Sequence, residues 1–171
     1  LGCATPPTDA ARVAPEAGPA GERVRLVDGW TWYTDPAGFR IAAPVGWLRF
    51  TDGRLTCFRE PDGVRTLSVD PSVAPPADPV GYWRAEEQRL VVNGALPGYQ
   101  QIGIGPSDLH PGGAEWQFRW SGPAGQPLRA WRLLLVTSAT HGYVLSWSTR
   151  ESDWQSDQLY RGLVQGTLRP A

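Results

Sequence analysis

Lysine is missing from this 171-residue chain; all 16 basic residues are arginine. Without lysine there is no Schiff base, no P-loop cation for a nucleotide phosphate, and no Ser-x-x-Lys nucleophile pair. Methionine is missing too, and the sequence opens on Leu1, so its start is expected to be processed, truncated or a fragment edge. Cysteine occurs twice, which is too few for a disulfide framework. No run of eighteen apolar residues occurs, so nothing reads as a membrane-spanning helix. Neither sign of charge dominates, with 16 basic and 17 acidic residues and a net charge of −1. So balanced a chain has no long-range field to gather nucleic acid, and no nucleic-acid partner is expected.

What is present is enough for a core. Hydrophobic residues make up 41% and aromatics 11%, with nine tryptophans. Residues 1–28 stand apart: they are rich in Ala, Pro and Gly and poor in large apolar groups. Such a composition buries too little surface to offset its ordering entropy, so a flexible tether is expected there. Residues 29–171 are expected to form a single globular binding or sensing domain. Leu1-Gly2-Cys3 resembles the end of a bacterial lipoprotein signal, which implies lipidation at Cys3 and a membrane anchor through the N-terminus. A Cys3–Cys57 disulfide is the disfavoured alternative. Cys57 otherwise reads as a buried, inert strand residue.

From Trp30 onward the texture is that of strands and turns. Strands are predicted at Trp30–Thr34, Phe39–Ala43, Leu48–Thr51, Leu55–Arg59 and Thr66–Asp70. Asp52-Gly53 marks a hairpin. Four prolines make 71–79 irregular. Asp78 then caps a helix with Pro79 in its first position, running to Val92 before Asn93-Gly94. Further strands follow at Tyr99–Ile104, Ala114–Ser121, Leu128–Thr137 and Gly142–Ser148. In Ala114–Ser121 the aromatics Trp116, Phe118 and Trp120 share one face. Ser152-Asp153-Trp154-Gln155 reads as a capping box opening a last helix that stops near Gly166. The sum is an α+β fold: a mostly antiparallel sheet of about eight or nine strands covered by two helices.

Several runs together resemble a known family. They are Asp78-Pro79-Val80-x-Tyr82-Trp83-Arg84, Leu96-Pro97-Gly98-Tyr99, Ala114-Glu115-Trp116-Gln117-Phe118, Gly142-Tyr143-x-Leu145-x-Trp147-Ser148, and Trp154. They look like the extracytoplasmic C-terminal domain of actinobacterial membrane serine/threonine kinases and of related stand-alone envelope lipoproteins. The resemblance covers roughly residues 36–170. It implies a signal-transduction module that senses a ligand or the envelope, and it supplies no catalytic residue. The element order also resembles the α/β/α sandwich of PsbP-like proteins.

Chemistry-bearing residues are sparse. His110 and His141 both fall in Gly- or Pro-rich turns, and no Gly-x-Ser-x-Gly elbow accompanies them. Ser107, Asp108, His110 and Glu115 match no triad or metal spacing. Gly103-Ile104-Gly105 lacks the third glycine and the helix of a dinucleotide loop. Glu86 and Glu87 are adjacent on a helix, about 100° apart, rather than opposed across a cleft. No catalytic residue, metal ligand or cofactor is therefore assigned. Trp83, Trp116, Trp120, Trp131 and Trp147 read as core, and Trp30, Trp32 and Trp154 are the candidate binding surface. The function expected is non-enzymatic: an envelope-tethered module for an unknown small ligand. An interaction domain for an envelope protein and a hydrolase with an unrecognised site are the alternatives.

Overall fold

The computed structural model describes residues 2–170. Ten strands and two helices follow one another: β1 Ala11–Arg12, β2 Trp30–Thr34, β3 Arg40–Pro44, β4 Leu48–Asp52, β5 Leu55–Arg59 and β6 Thr66–Val73 come first. Then come α1 Pro79–Val92, β7 Gln100–Pro106, β8 Ala114–Ser121, β9 Pro127–Val136, β10 Gly142–Arg150 and α2 Gln158–Thr167. Eight strands form one antiparallel sheet in the order β1-β4-β5-β6-β10-β9-β8-β7, while β2 and β3 pair separately as a hairpin. The α+β, two-helix architecture expected from the sequence is the one observed.

The alternation of side chains assigns each strand two faces. On the first, Phe58, Leu67, Val69, Trp131, Leu133, Leu145 and Trp147 are buried beneath the β2–β3 hairpin and α2, which contribute Phe39, Ile41 and Val164. Thr167 ties α2 to that hairpin: its hydroxyl accepts the backbone N–H of Ala42 at 3.0 Å. On the second face, Trp83 and Leu90 of α1 pack on Trp116, Phe118, Ala130 and Leu134. The Trp83 indole N–H donates to the Ala114 carbonyl at 2.8 Å, so its polar edge is satisfied inside the core. Helix α1 keeps its predicted ends, because Asp78 accepts the Gly81 N–H at 3.0 Å and Pro79 fills the first turn.

Three local expectations shift. The β4–β5 turn is Gly53-Arg54 rather than Asp52-Gly53, since Asp52 pairs with Leu55 and Gly53 takes φ +58°. Strand β6 continues through Pro71 to Val73. It runs past the end of β5 there, and the β10 ladder is irregular opposite Pro71, so the missing N–H disrupts no regular pairing. The capping box at Ser152 is not formed. Residues 151–153 make a 3-10 turn, and α2 starts at Gln158, behind a fully buried Asp157. Asp157 accepts from the Arg65 guanidinium at 2.9 Å and from the Trp147 indole at 3.2 Å, so tertiary partners claim the turn that local capping would have used.

The N-terminal segment is the largest correction. Composition predicts a free tether over 1–28, yet it is stitched to the domain. Ala11–Arg12 pairs with β4, and Val13 is buried in the first-face core. Glu16 accepts the Thr34 hydroxyl at 2.6 Å, and Glu22 pairs with Arg169 at 3.0 Å. Cys3 is joined to Cys57 by a disulfide, the alternative that the sequence disfavoured. Composition misses this because, apart from Val13, these attachments are backbone pairing, single polar bonds and one covalent bond rather than apolar area.

Candidate functional site

Cross-strand partners face the same way, so the registers Cys57↔Ser68, Ser68↔Ser146 and Ser146↔Arg132 lay one polar row across the second face. The pairs Arg59↔Thr66 and Thr66↔Ser148 lay a second row beside it. Helix α1 lies mainly over the β7–β8–β9 side of this face, with Val73 and Val144 at its margin. The remainder forms a groove of about 640 Å³ with these polar residues as its floor. Phe118, Trp120 and Leu128 line its apolar side, and residues 2–4 line the other. A mixed floor and wall of this size suits a small organic ligand, whose apolar body needs contact area and whose polar groups need fixed partners.

The groove is positively biased. Arg132 stacks over Trp116 and Phe118, 5.5 Å from each ring. Burial holds its guanidinium pKa below the ordinary value, with the carboxylate of Glu86 acting the other way. Arg59 is likewise lowered by burial. Its Nε donates to the Thr66 hydroxyl at 3.0 Å, and its two terminal nitrogens donate to the Cys3 and Ala4 carbonyls at 2.9 and 3.1 Å. A second hollow of about 290 Å³ shares Gly2, Ser68, Arg132 and Ser146 with the groove and extends it towards α1. The Arg54–Asp70 ion pair, at 3.0 Å, borders that hollow.

The tryptophans singled out from the sequence lie elsewhere. Trp32 and Trp154 are 5% and 7% exposed, so neither offers a contact surface. Trp154 lies between Arg161 and Arg129, whose guanidinium carbons are 3.7 and 4.5 Å from its ring centroid. Trp30 is partly buried and stacks on Tyr160 at 5.3 Å. The three form no shared patch. Trp120, placed in the core by its alternation, lies on the groove wall. The floor did leave a signal: Thr66, Ser68 and Asp70 alternate with Leu67 and Val69, as Ser146 and Ser148 do with Leu145 and Trp147. That pattern is also what an ordinary solvated face looks like.

Cys3 has a single sulfur substituent to give. The disulfide uses it, so this disulfide and a lipid thioether at Cys3 exclude each other. Of the remaining candidates, Ser107 accepts the backbone N–H of His110 at 3.2 Å, a turn contact rather than a nucleophile–imidazole pair. Burial lowers the His110 pKa, and Glu115 partly opposes the shift. Among the described residues, no group of three His, Cys, Asp or Glu side chains converges as a metal site. Glu86 pairs with Arg89, while Glu87 accepts from the Tyr99 hydroxyl and from Gln101 at 2.7 Å, so the two carboxylates serve separate contacts.

Comparison with known proteins agrees with the geometry at the level of fold and family. The family described as the serine/threonine kinase C-terminal domain matches residues 31–166. No curated protein matches the chain significantly in sequence. A cyanobacterial PsbP from Synechocystis sp. PCC 6803 is similar in structure, with a TM-score of 0.59 and 15% identity over 90% of this chain and 100% of that one. So is the Ran-binding protein Mog1p of Saccharomyces cerevisiae, with a TM-score of 0.57 and 8% identity over 82% of this chain and 95% of that one. A protein of unknown function from Pseudomonas aeruginosa gives a TM-score of 0.53 and 14% identity over 83% and 97% of the two chains. At such identities the likeness is one of fold, the PsbP-like sandwich, and it carries no activity across.

Proposed function

The chain belongs to the serine/threonine kinase C-terminal domain family, and on that premise we propose that it is a non-catalytic, extracytoplasmic binding module of the cell envelope. The ligand site of this reading is the second-face groove. The observation that carries it is the polar floor of Thr66, Ser68, Ser146 and Ser148 beside the apolar wall of Phe118, Trp120 and Leu128. A sheet face left bare of helix yet still concave suits a ligand better than a flat partner surface. The Cys3–Cys57 disulfide supports an exported location, because such bonds persist in oxidising compartments and are rare in reducing ones.

The test is a thermal-stability screen of the full chain against cell-wall fragments, sugars, anionic metabolites and lipids. A ligand at a hundred times its dissociation constant adds about 2.7 kcal/mol of stability, a readily measured shift. The expected result is a hit that Trp120→Ala and Ser146→Ala both weaken. A library with no hit, or a hit indifferent to both substitutions, removes the groove reading.

A further inference from the structure

The wall formed by residues 2–4 is unlike the rest of the groove. It is a strap laid across the sheet and not part of the sheet. Its covalent hold is Cys3–Cys57, and Cys57 is fully buried on β5 beside Ser68. Its other holds are the Ala4 N–H to Asp52 at 2.9 Å and the two bonds from Arg59 to the Cys3 and Ala4 carbonyls. Beyond Ala4 the chain is largely exposed until Ala11–Arg12 joins β4 and Val13 enters the core. The strap is thus fixed at its far end by β1 and at its near end by one disulfide and a few solvent-accessible hydrogen bonds, each worth little net.

Arg59 explains what the strap covers. Its guanidinium is half-buried, and it enters none of the ion pairs among the described residues. The acceptors it meets are neutral: two strap carbonyls and the Thr66 hydroxyl. The two carbonyl oxygens stand where carboxylate or phosphate oxygens would stand. A real anion there makes charge-assisted bonds, roughly twice as strong as those to neutral carbonyls. We infer that Arg59 and Thr66 form an anion-binding end of the groove that the residue 2–4 strap occupies, and that opening the Cys3–Cys57 disulfide releases the strap and exposes the site.

The ligand class is a small anion with an apolar body, its charge on Arg59 and its body against Phe118, Trp120 and Leu128. This rests on the groove reading above and adds its ligand class and its control. Opening is thiol–disulfide exchange with a dithiol reductant. A thiolate of the dithiol attacks the Cys3 sulfur, the less buried of the pair, and Cys57 leaves as a thiolate that takes up a proton. The second thiol of the dithiol then displaces Cys3 from the mixed disulfide. Two protein thiols and one oxidised dithiol result.

The experiment titrates 8-anilinonaphthalene-1-sulfonate, an anion with an apolar body, into six samples of the full chain. These are the oxidised protein, the dithiothreitol-reduced protein, Cys3→Ser, reduced Arg59→Gln, and Trp120→Ala both oxidised and reduced. The expected dissociation constant is at least ten-fold lower for the reduced protein and Cys3→Ser than for the oxidised form, with Arg59→Gln abolishing the gain. Reduced-state binding that Arg59→Gln leaves unchanged reports a loosened core and overturns the inference. Equal binding by oxidised and reduced protein, weakened in both by Trp120→Ala, overturns the strap and leaves the groove reading standing. Saturable binding in no sample overturns both.

Discussion

The two faces of the sheet are built from the same strands and reach opposite ends. The first is closed by the β2–β3 hairpin and α2 over an apolar core that runs across β5, β6, β10 and β9. The second is closed by α1 on one side only, and a polar groove under a disulfide-held strap occupies the rest. Alternation along β6 and β10 sends Leu67, Val69, Leu145 and Trp147 one way and Thr66, Ser68, Ser146 and Ser148 the other. The first set supplies stability; the second leaves an open surface at small cost. The proposed binding site lies where the sheet can spare apolar contact.

Breaking the closed face should have the largest effect. Asp157 is fully buried and accepts from Arg65 and Trp147. Asp157→Ala leaves the Trp147 indole without its acceptor and Arg65 with Glu60 and Asp153, and is expected to cost about 3 kcal/mol, the lower end for a broken buried pair because Arg65 keeps those partners and reaches solvent. A fall in the denaturant midpoint measures it. Next is the strap: reducing Cys3–Cys57 opens a loop spanning 54 residues of sequence separation. It should cost about 2–4 kcal/mol, read as a lower melting temperature with reductant that Cys3→Ser reproduces without it. Should reduction instead abolish cooperative unfolding, the strap would be structural and the contrast between the faces would fail.

Smaller changes sharpen the comparison. Asp78→Ala removes the cap of the helix beside the groove and should cost about 1 kcal/mol in the same denaturation experiment. At alkaline pH each face loses a phenol. Tyr33 is raised above its ordinary value by burial and then by bonding to Asp35. Tyr99 is raised by burial and then by bonding to Glu87. Their contribution is complete below the phenol's ordinary pKa of about 10. It is lost as pH rises beyond that, because the unfolded chain ionises first. Melting curves above that pH should flatten partly in Tyr33→Phe and partly in Tyr99→Phe. Smallest is Ser146→Ala on the groove floor, expected within about 0.5 kcal/mol of the parent. A larger loss there would show that the floor holds the fold rather than a ligand.

Much of the frame was legible from residue order. Helix α1 kept both predicted ends because its signals are local: a capping Asp78, Pro79 in the first turn, and Asn93-Gly94 after the last. Strand β8 kept Ala114–Ser121 because alternation along one strand states its own two faces. The start of α2 was misread because Asp157 is engaged by Arg65, 92 residues away in sequence. The tryptophan surface was misplaced because spacing does not say which ring another element will cover. Trp154 is covered by Arg129 and Arg161, and Trp32 lies beneath residues of the N-terminal segment and beside Arg169.

The sequence by itself determined the chemistry available and the local elements: arginine as the sole cation apart from histidine, an antiparallel alternation, and two helices of which one is fully capped. It also carried the family, in runs such as Asp78-Pro79 and Ala114-Glu115-Trp116. Only the tertiary structure decided what lies over the polar half of the sheet. Composition reads the first 28 residues as unable to fold, because it counts the apolar area they can bury. Their attachment depends instead on partners far away in sequence: β4 for Ala11–Arg12, Thr31 and Thr34 for Glu16, and Cys57 for Cys3. Such contacts are properties of a folded surface, and no window along the chain contains both ends of them.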